Sequence, residues 1–347
     1  MYRVSPFVRH FARALLGGAG LATLWVNLSP SSYYDFIEFR LLEWLPPAWL
    51  ATGPVIVTPM RLLTEGLMSL FLFFIAKELW EALVLDRGAL AGRRALLPAG
   101  AVLGGIAGAV GVWLLWGGLV GAPEGADPTA GWVVPVGSDV VICYVLGRLV
   151  FGAGHAALHL LLLITIAFDI AGLVLLGLSH AAFGPRLLWL LCVAATVLAV
   201  WRLYGAPPPA GASEARRRRG LALWPYGVAG VLFLFGLTRG GIDLMALAPV
   251  TGTVLLALWI GKPLGVLAGA FGAMLAFRLY PPPGISLRDI AVIAAISGLG
   301  FTVPVLAIDS ALPAGLMAEA TRLGLALSLL AGPAALLLAR LLRHRKR

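Results

Sequence analysis

Stretches of about twenty residues with almost no charge recur along this chain, and that recurrence leaves few folds open to it. A helix needs about 20 mainly apolar residues to cross the hydrocarbon of a bilayer. Such stretches run at 10–28, 62–85, 95–120, 132–152, 156–178, 186–204, 222–238, 247–276, 288–309 and 316–340. The chain is 60% hydrophobic and only 12% charged, far below the roughly one quarter charged of soluble domains. The sequence therefore predicts an all-α polytopic membrane protein of about ten transmembrane helices.

The charges that remain are 26 basic and 16 acidic, a net +10. With the N-terminus inside, nineteen of the basic residues fall in cytoplasmic segments and five in outer ones. That bias places both termini in the cytoplasm and accounts for the positive charge by the lipid bilayer, with no nucleic-acid partner. The first stretch lacks a small-residue cleavage site and is read as a retained helix. Cys143 and Cys192 lie in apolar stretches without metal-ligand spacing and read as packing residues.

One composition break, 206–220, holds Pro207, Pro208, Pro209 and Arg216–Arg219 and reads as a cytoplasmic linker. It separates 1–205, with a helix trio at about 95–178, from 221–347, with a second trio at about 247–340. Counting spans gives the trios inverted topology. Each middle span is interrupted, by Pro135 and Gly137 in VVPVGSD and by Gly298, Gly300 and Pro304 in SGLGFTVP. Interruptions at corresponding positions of inverted halves point to a transporter with its site at the membrane midplane.

Ionisable residues within spans cost roughly 2.5 to 3.5 kcal/mol each and mark ion pathways or paired structural sites. Asp139, beside Ser138 and backbone freed by Pro135, offers oxygens suited to a hard cation such as sodium. It equally suits neutralisation of the positive ends of broken helices, and the two roles are compatible. Asp169 is the one charge in LLLLITIAFDIAGLVLLGL, a group able to trade a proton for a cation, or else a structural partner of Lys262. Lys262, in WIGKPLG, reads as a proton carrier or as a fixed countercharge to helix C-termini. Glu78 sits beside Lys77, where a snorkelling interface pair is the plain reading. His155 and His159 have i, i+4 spacing without an apparent third metal ligand, and suit pH sensing better than zinc. Asp309 is expected to be solvated at the outer mouth.

The stretches LWVNLSPSSYYDFIEF, EGLMSLFLFFIAKELWEAL, GWVVPVGSD, FDIAGLVLL, WIGKPLG and SGLGFT, in this order, resemble the NhaA-type sodium/proton antiporters of bacteria. The resemblance covers most of the chain. It implies an NhaA-like fold with two crossed, broken helices and alternating access of Na+ or Li+ and protons across the cell inner membrane. No cofactor is implied beyond the transported ions. By motif position, Asp169 matches the family's main ion-binding and proton-carrying aspartate, and Asp139 the aspartate at the crossing, with Ser138 where threonine is usual. Lys262 matches the lysine near the crossing, and Glu78 the glutamate implicated in pH control.

Two departures stand out. The family's double aspartate reads Phe168–Asp169 here, and the chain passes from its sixth span through the linker to what resembles the family's ninth helix. Omitting an even number of helices keeps the topology but alters the scaffold and the contacts of a homodimer. Loss of the first aspartate leaves Lys262 to bond Asp169, to be neutral or to find another partner, and suggests fewer protons per sodium, even electroneutral exchange. The alternative is a non-transporting relative, an ion sensor or scaffold. An intramembrane aspartyl protease using Asp139 and Asp169 would require YD and GxGD motifs where FD and GSD stand, so no enzyme is expected.

Overall fold

The structure, a computed structural model, describes residues 8–44, 55–63, 95–121, 127, 129–152, 154–180, 214–313 and 315–344. Most of the second expected span and all of the sixth lie outside these, together with Lys77, Glu78 and Cys192. In chain order the elements are α1 (Val8–Leu28), α2 (Pro30–Glu38), strands β1 (Leu42–Trp44) and β2 (Val55–Val57), α3 (Leu96–Val120), α4 (Val140–Phe151), α5 (Ala156–His180) and α6 (Glu214–Arg239). They continue with α7 (Pro249–Leu256), α8 (Lys262–Phe277), α9 (Leu287–Ser297), α10 (Thr302–Ala311), α11 (Leu316–Ser328) and α12 (Ala331–His344). A 3-10 turn, Val134–Val136, precedes α4, and a π turn, Ala257–Gly261, joins α7 to α8.

Among the described residues six helices are long and apolar enough to cross a membrane, or seven if the bent pair α9 and α10 counts as one. Leucines face outward, Leu115, Leu178 and Leu275 being 72%, 80% and 81% exposed, while Asp139, Asp169 and Lys262 are 1%, 1% and 0% exposed. Charge inside and hydrocarbon outside is the arrangement a lipid solvent selects.

Two compact units emerge, one drawn from Met1–Leu79 and Phe183–Ile242 and the other from Trp80–Ala182 and Asp243–Arg347. Of the expected linker at 206–220, residues 214–220 are helical. Helix α6 begins at Glu214, so Arg216–Arg219 form its first turns. The run from Glu214 to Arg219 contains only strong helix formers, without Gly or Pro, which favours helix over irregular chain.

In the first unit α1 packs on α6 through small residues. A β-carbon at Gly236 would lie 2.8 Å from the Ala19 amide nitrogen, and one at Gly18 would lie 2.9 Å from that of Leu237. The Tyr33 hydroxyl of α2 donates to the Leu237 carbonyl at 3.1 Å. The antiparallel β1–β2 pair sets Leu42 opposite Val57 and Trp44 opposite Val55.

The second unit holds both expected trios. Its first helices, α3 and α8, meet along facing glycine stripes, Gly100, Gly104 and Gly108 against Gly261, Gly265 and Gly269. A β-carbon at Gly104 would lie 2.7 Å from the Gly269 Cα, and one at Gly108 would lie 2.9 Å from the Gly265 Cα. Small residues every fourth position let membrane helices approach backbone to backbone. Each middle span breaks where its Gly and Pro predict. The first is extended over Gly137–Asp139, and the second turns through Gly298–Phe301 with a 45° bend.

Candidate functional site

An extended segment inside a membrane protein must find partners for backbone groups that helix would have satisfied. Around Gly137–Asp139 three of these groups, the carbonyls of Val136 and Gly137 and the amide of Ser138, are met by side chains from elsewhere in the second unit. The carbonyls of Val136 and Gly137 accept from Lys262 Nζ at 2.9 and 2.6 Å. The Ser138 amide donates to Asp169 Oδ1 at 2.7 Å, and the Ser138 hydroxyl lies 3.4 Å from the same oxygen. That hydroxyl also donates to the Thr165 carbonyl at 3.1 Å, which ties the first break to α5.

Asp139 occupies the N-cap of α4 in extended geometry, and its Oδ1 accepts from the Ile142 amide at 2.8 Å. Its Oδ2 serves a different helix. The Thr302 hydroxyl donates to it at 2.5 Å and the Thr302 amide at 3.3 Å, at the first residue of α10. One carboxylate therefore neutralises the positive N-terminal ends of both broken spans. The crossing is tight, since a β-carbon at Gly137 would lie 2.7 Å from Val303 Cγ1 and 2.9 Å from Pro304 Cδ.

Asp169 uses only Oδ1 in these bonds, and Oδ2 accepts none among the described residues. No ion pair joins Asp169 to Lys262 among the described residues. Of the partners considered for Lys262, the helix C-terminal carbonyls are the ones it has. Extended backbone after the 3-10 turn exposes two carbonyls with no amide to meet them, and a buried ammonium satisfies both. The π turn widens the helix immediately before Lys262 and sets where its side chain emerges. Beneath it lies Phe168, fully buried, with the ring centroid 4.4 Å from Nζ.

The sequence-predicted residues Asp139, Asp169, Ser138, Lys262 and Phe168 thus meet at one place, whereas Glu78 lies outside the described residues. His155 and His159 do not join them. His155 Nδ1 accepts from the Ala157 amide at 3.2 Å and its ring stacks on Phe151, so it acts as an N-cap for α5. Asp309 is exposed, as expected, and pairs with Arg322 of α11 at 2.5 Å. Arg322 also pairs with Glu319.

Thr302 and Thr165 were not singled out by the sequence reading. Thr302 had a usable signal, being a hydroxyl residue directly after a Gly-rich break, where a helix restarts. Thr165 had none, since it contributes a backbone carbonyl.

A sequence model of the family described as Na+/H+ antiporter 1 matches residues 10–243 and 209–339. The chain is 29% identical to the Na(+)/H(+) antiporter NhaA of Jannaschia sp. (strain CCS1), over 100% of this chain and 99% of that protein. It is 28% identical to Na(+)/H(+) antiporter NhaA 2 of Pelobacter propionicus (strain DSM 2379 / NBRC 103807 / OttBd1), over 98% of each. It is 29% identical to the Na(+)/H(+) antiporter NhaA of Geotalea uraniireducens (strain Rf4), over 98% of this chain and 97% of that one. The first alignment runs over 417 residues against the 347 of this chain, so the Jannaschia protein carries residues without a counterpart here.

Proposed function

The chain belongs to the Na+/H+ antiporter 1 family, and from that premise we propose that it exchanges Na+ for H+ across the bacterial cytoplasmic membrane by alternating access, with Asp169 as the shared site. It is a secondary transporter and not an enzyme. The observation that carries the reading is the state of Asp169: a buried carboxylate that, among the described residues, is bonded only to the neutral Ser138 and leaves Oδ2 open, with the neighbouring cation bound elsewhere.

A carboxylate so placed is short of one positive charge, and a proton or a monovalent cation supplies it. The two compete for the same oxygen. Protonation at one face of the membrane expels Na+ from Asp169, and loss of the proton at the other face readmits it. Ser138 Oγ and the open Asp169 oxygen are oxygens that the described residues offer a hard cation. Li+ fits the same chemistry. Asp139 has both oxygens committed to helix starts, so its part is to fix the crossing and to add to the negative field at the site.

Charge counting supports one-for-one exchange. Asp139, Asp169 and Lys262 together carry one net negative charge when all are ionised, and a single Na+ or a single H+ cancels it. The family's first aspartate, whose place Phe168 takes, would have added another. Exchange by this chain is accordingly electroneutral, and both termini lie in the cytoplasm.

The deciding experiment is a dequenching assay of Na+-driven proton movement in everted vesicles. The wild-type chain exchanges, and Asp169→Asn loses at least about 99% of the rate, an effect on the scale of 3 kcal/mol in the barrier. A wild type without exchange rejects the proposal. Electroneutrality is tested separately in proteoliposomes under an imposed membrane potential, where marked acceleration by potential would reject that part.

A further inference from the structure

Phe168 is where the chain leaves its family's pattern, and its surroundings give the ring a definite task. Lys262 Nζ lies 4.4 Å from the ring centroid, inside the reach of about 6 Å over which an aromatic face attracts a cation. The opposite edge of the ring rests over Gly105 of α3. A β-carbon there would lie 2.9 Å from Phe168 Cε1 and 2.7 Å from Val266 Cγ2, so only glycine leaves the ring its slot. The ammonium is therefore bounded by two carbonyl oxygens, Val136 and Gly137, and by one ring face. An aliphatic side chain would fill the slot equally well, but it would offer the ammonium nothing.

We propose that Phe168 is a positioning residue for the exchange reaction: its ring face holds the Lys262 ammonium on the backbone of the first break and keeps it off Asp169. Where the family pattern would place a second carboxylate, this chain places a neutral acceptor of cations. Lys262 stays at its backbone post while Asp169 remains open to Na+. Without the ring face the ammonium turns to Asp169, and Na+ must then displace it. This rests on the exchange reading of Asp169.

The test varies the ring's electrostatics at nearly constant shape. Phenylalanines bearing one, two and three fluorines are incorporated at position 168 of the full-length protein, alongside Phe168→Leu. In proteoliposomes the KM for Na+ rises stepwise with fluorine number at little-changed kcat, reaching about tenfold in Phe168→Leu. Tm of the purified protein falls in the same order, and the trend disappears in a Lys262→Met background. A KM and a Tm indifferent to fluorination overturn the proposal, because a residue that merely fills space would behave so. A KM effect that persists in Lys262→Met overturns it as well. If the wild type itself shows no Na+ exchange, the exchange reading fails instead. The Tm series and its dependence on Lys262 then still decide whether the ring holds the ammonium.

Discussion

The break after Val136 and the break after Ser297 stand at matching places in their trios, yet the first supplies its own cap and the second borrows one. Around Gly137–Asp139 the Asp169 carboxylate meets the Ser138 amide, the Asp139 carboxylate caps α4, and an imported ammonium meets the Val136 and Gly137 carbonyls. The four residues Gly298–Phe301 themselves carry no charged side chain. The helix restart after them uses the spare oxygen of Asp139 through Thr302, and the Gly300 carbonyl accepts a long bond of 3.4 Å from the Ser328 hydroxyl. Gly and Pro can repeat a bend cheaply. A charge in hydrocarbon cannot be repeated cheaply, at roughly 2.5 to 3.5 kcal/mol each, so one aspartate serves both breaks. The chemistry is thereby concentrated on the first break, and the second is the more lightly held.

The largest test of this contrast is Asp139→Ala, which removes both caps at once. Unfolding of the purified protein in detergent should show a loss of about 3 to 5 kcal/mol; a loss under about 1 kcal/mol would mean that the two helix starts do not depend on it. Lys262→Met strips the two carbonyls of the first break of their donor and should cost about 2 to 4 kcal/mol in the same measurement. Thr302→Val keeps the shape of the second restart without its hydroxyl. About 1 to 2 kcal/mol is expected, with a coupling of about 1 kcal/mol to Asp139→Asn in a double-mutant cycle. Ser328→Ala touches only the long bond at Gly300 and should cost about 0.5 to 1 kcal/mol. The smallest effect concerns Asp127, ahead of the first broken span, where the hydroxyl and amide of Thr129 hold the carboxyl below its ordinary range. A depressed carboxylate stabilises above its unfolded value, near 3.9, and loses that contribution as pH falls. Asp127→Asn should therefore slightly flatten the acid side of the stability profile and leave exchange unchanged.

Both breaks were legible because Gly and Pro act through local backbone geometry, which the sequence states directly. So were the buried residues Asp139, Asp169 and Lys262, since each interrupts a long apolar run. Their partners were not, because a partner is a fact of three dimensions. Nothing in WIGKPLG tells whether Lys262 reaches a carboxylate or a carbonyl, and Phe168 read as a loss until its ring was found under the ammonium. The arginine run at 216–219 marks a composition break, and its freedom from Gly and Pro lets it form helix as well. The glycine stripes of α3 and α8 were written at four-residue spacing in both segments, but only their facing one another gives them meaning.

That glycine seam also has a mechanical consequence. Two helices joined through backbone alone have no rotatable bonds between them, so the joint has little compliance. Lys262 opens α8 and Gly105 lies on α3, so the width of the slot that holds the Phe168 ring is set by a stiff strut. Surrounding helices can flex while the distance from Lys262 to the Gly105 wall of that slot hardly changes.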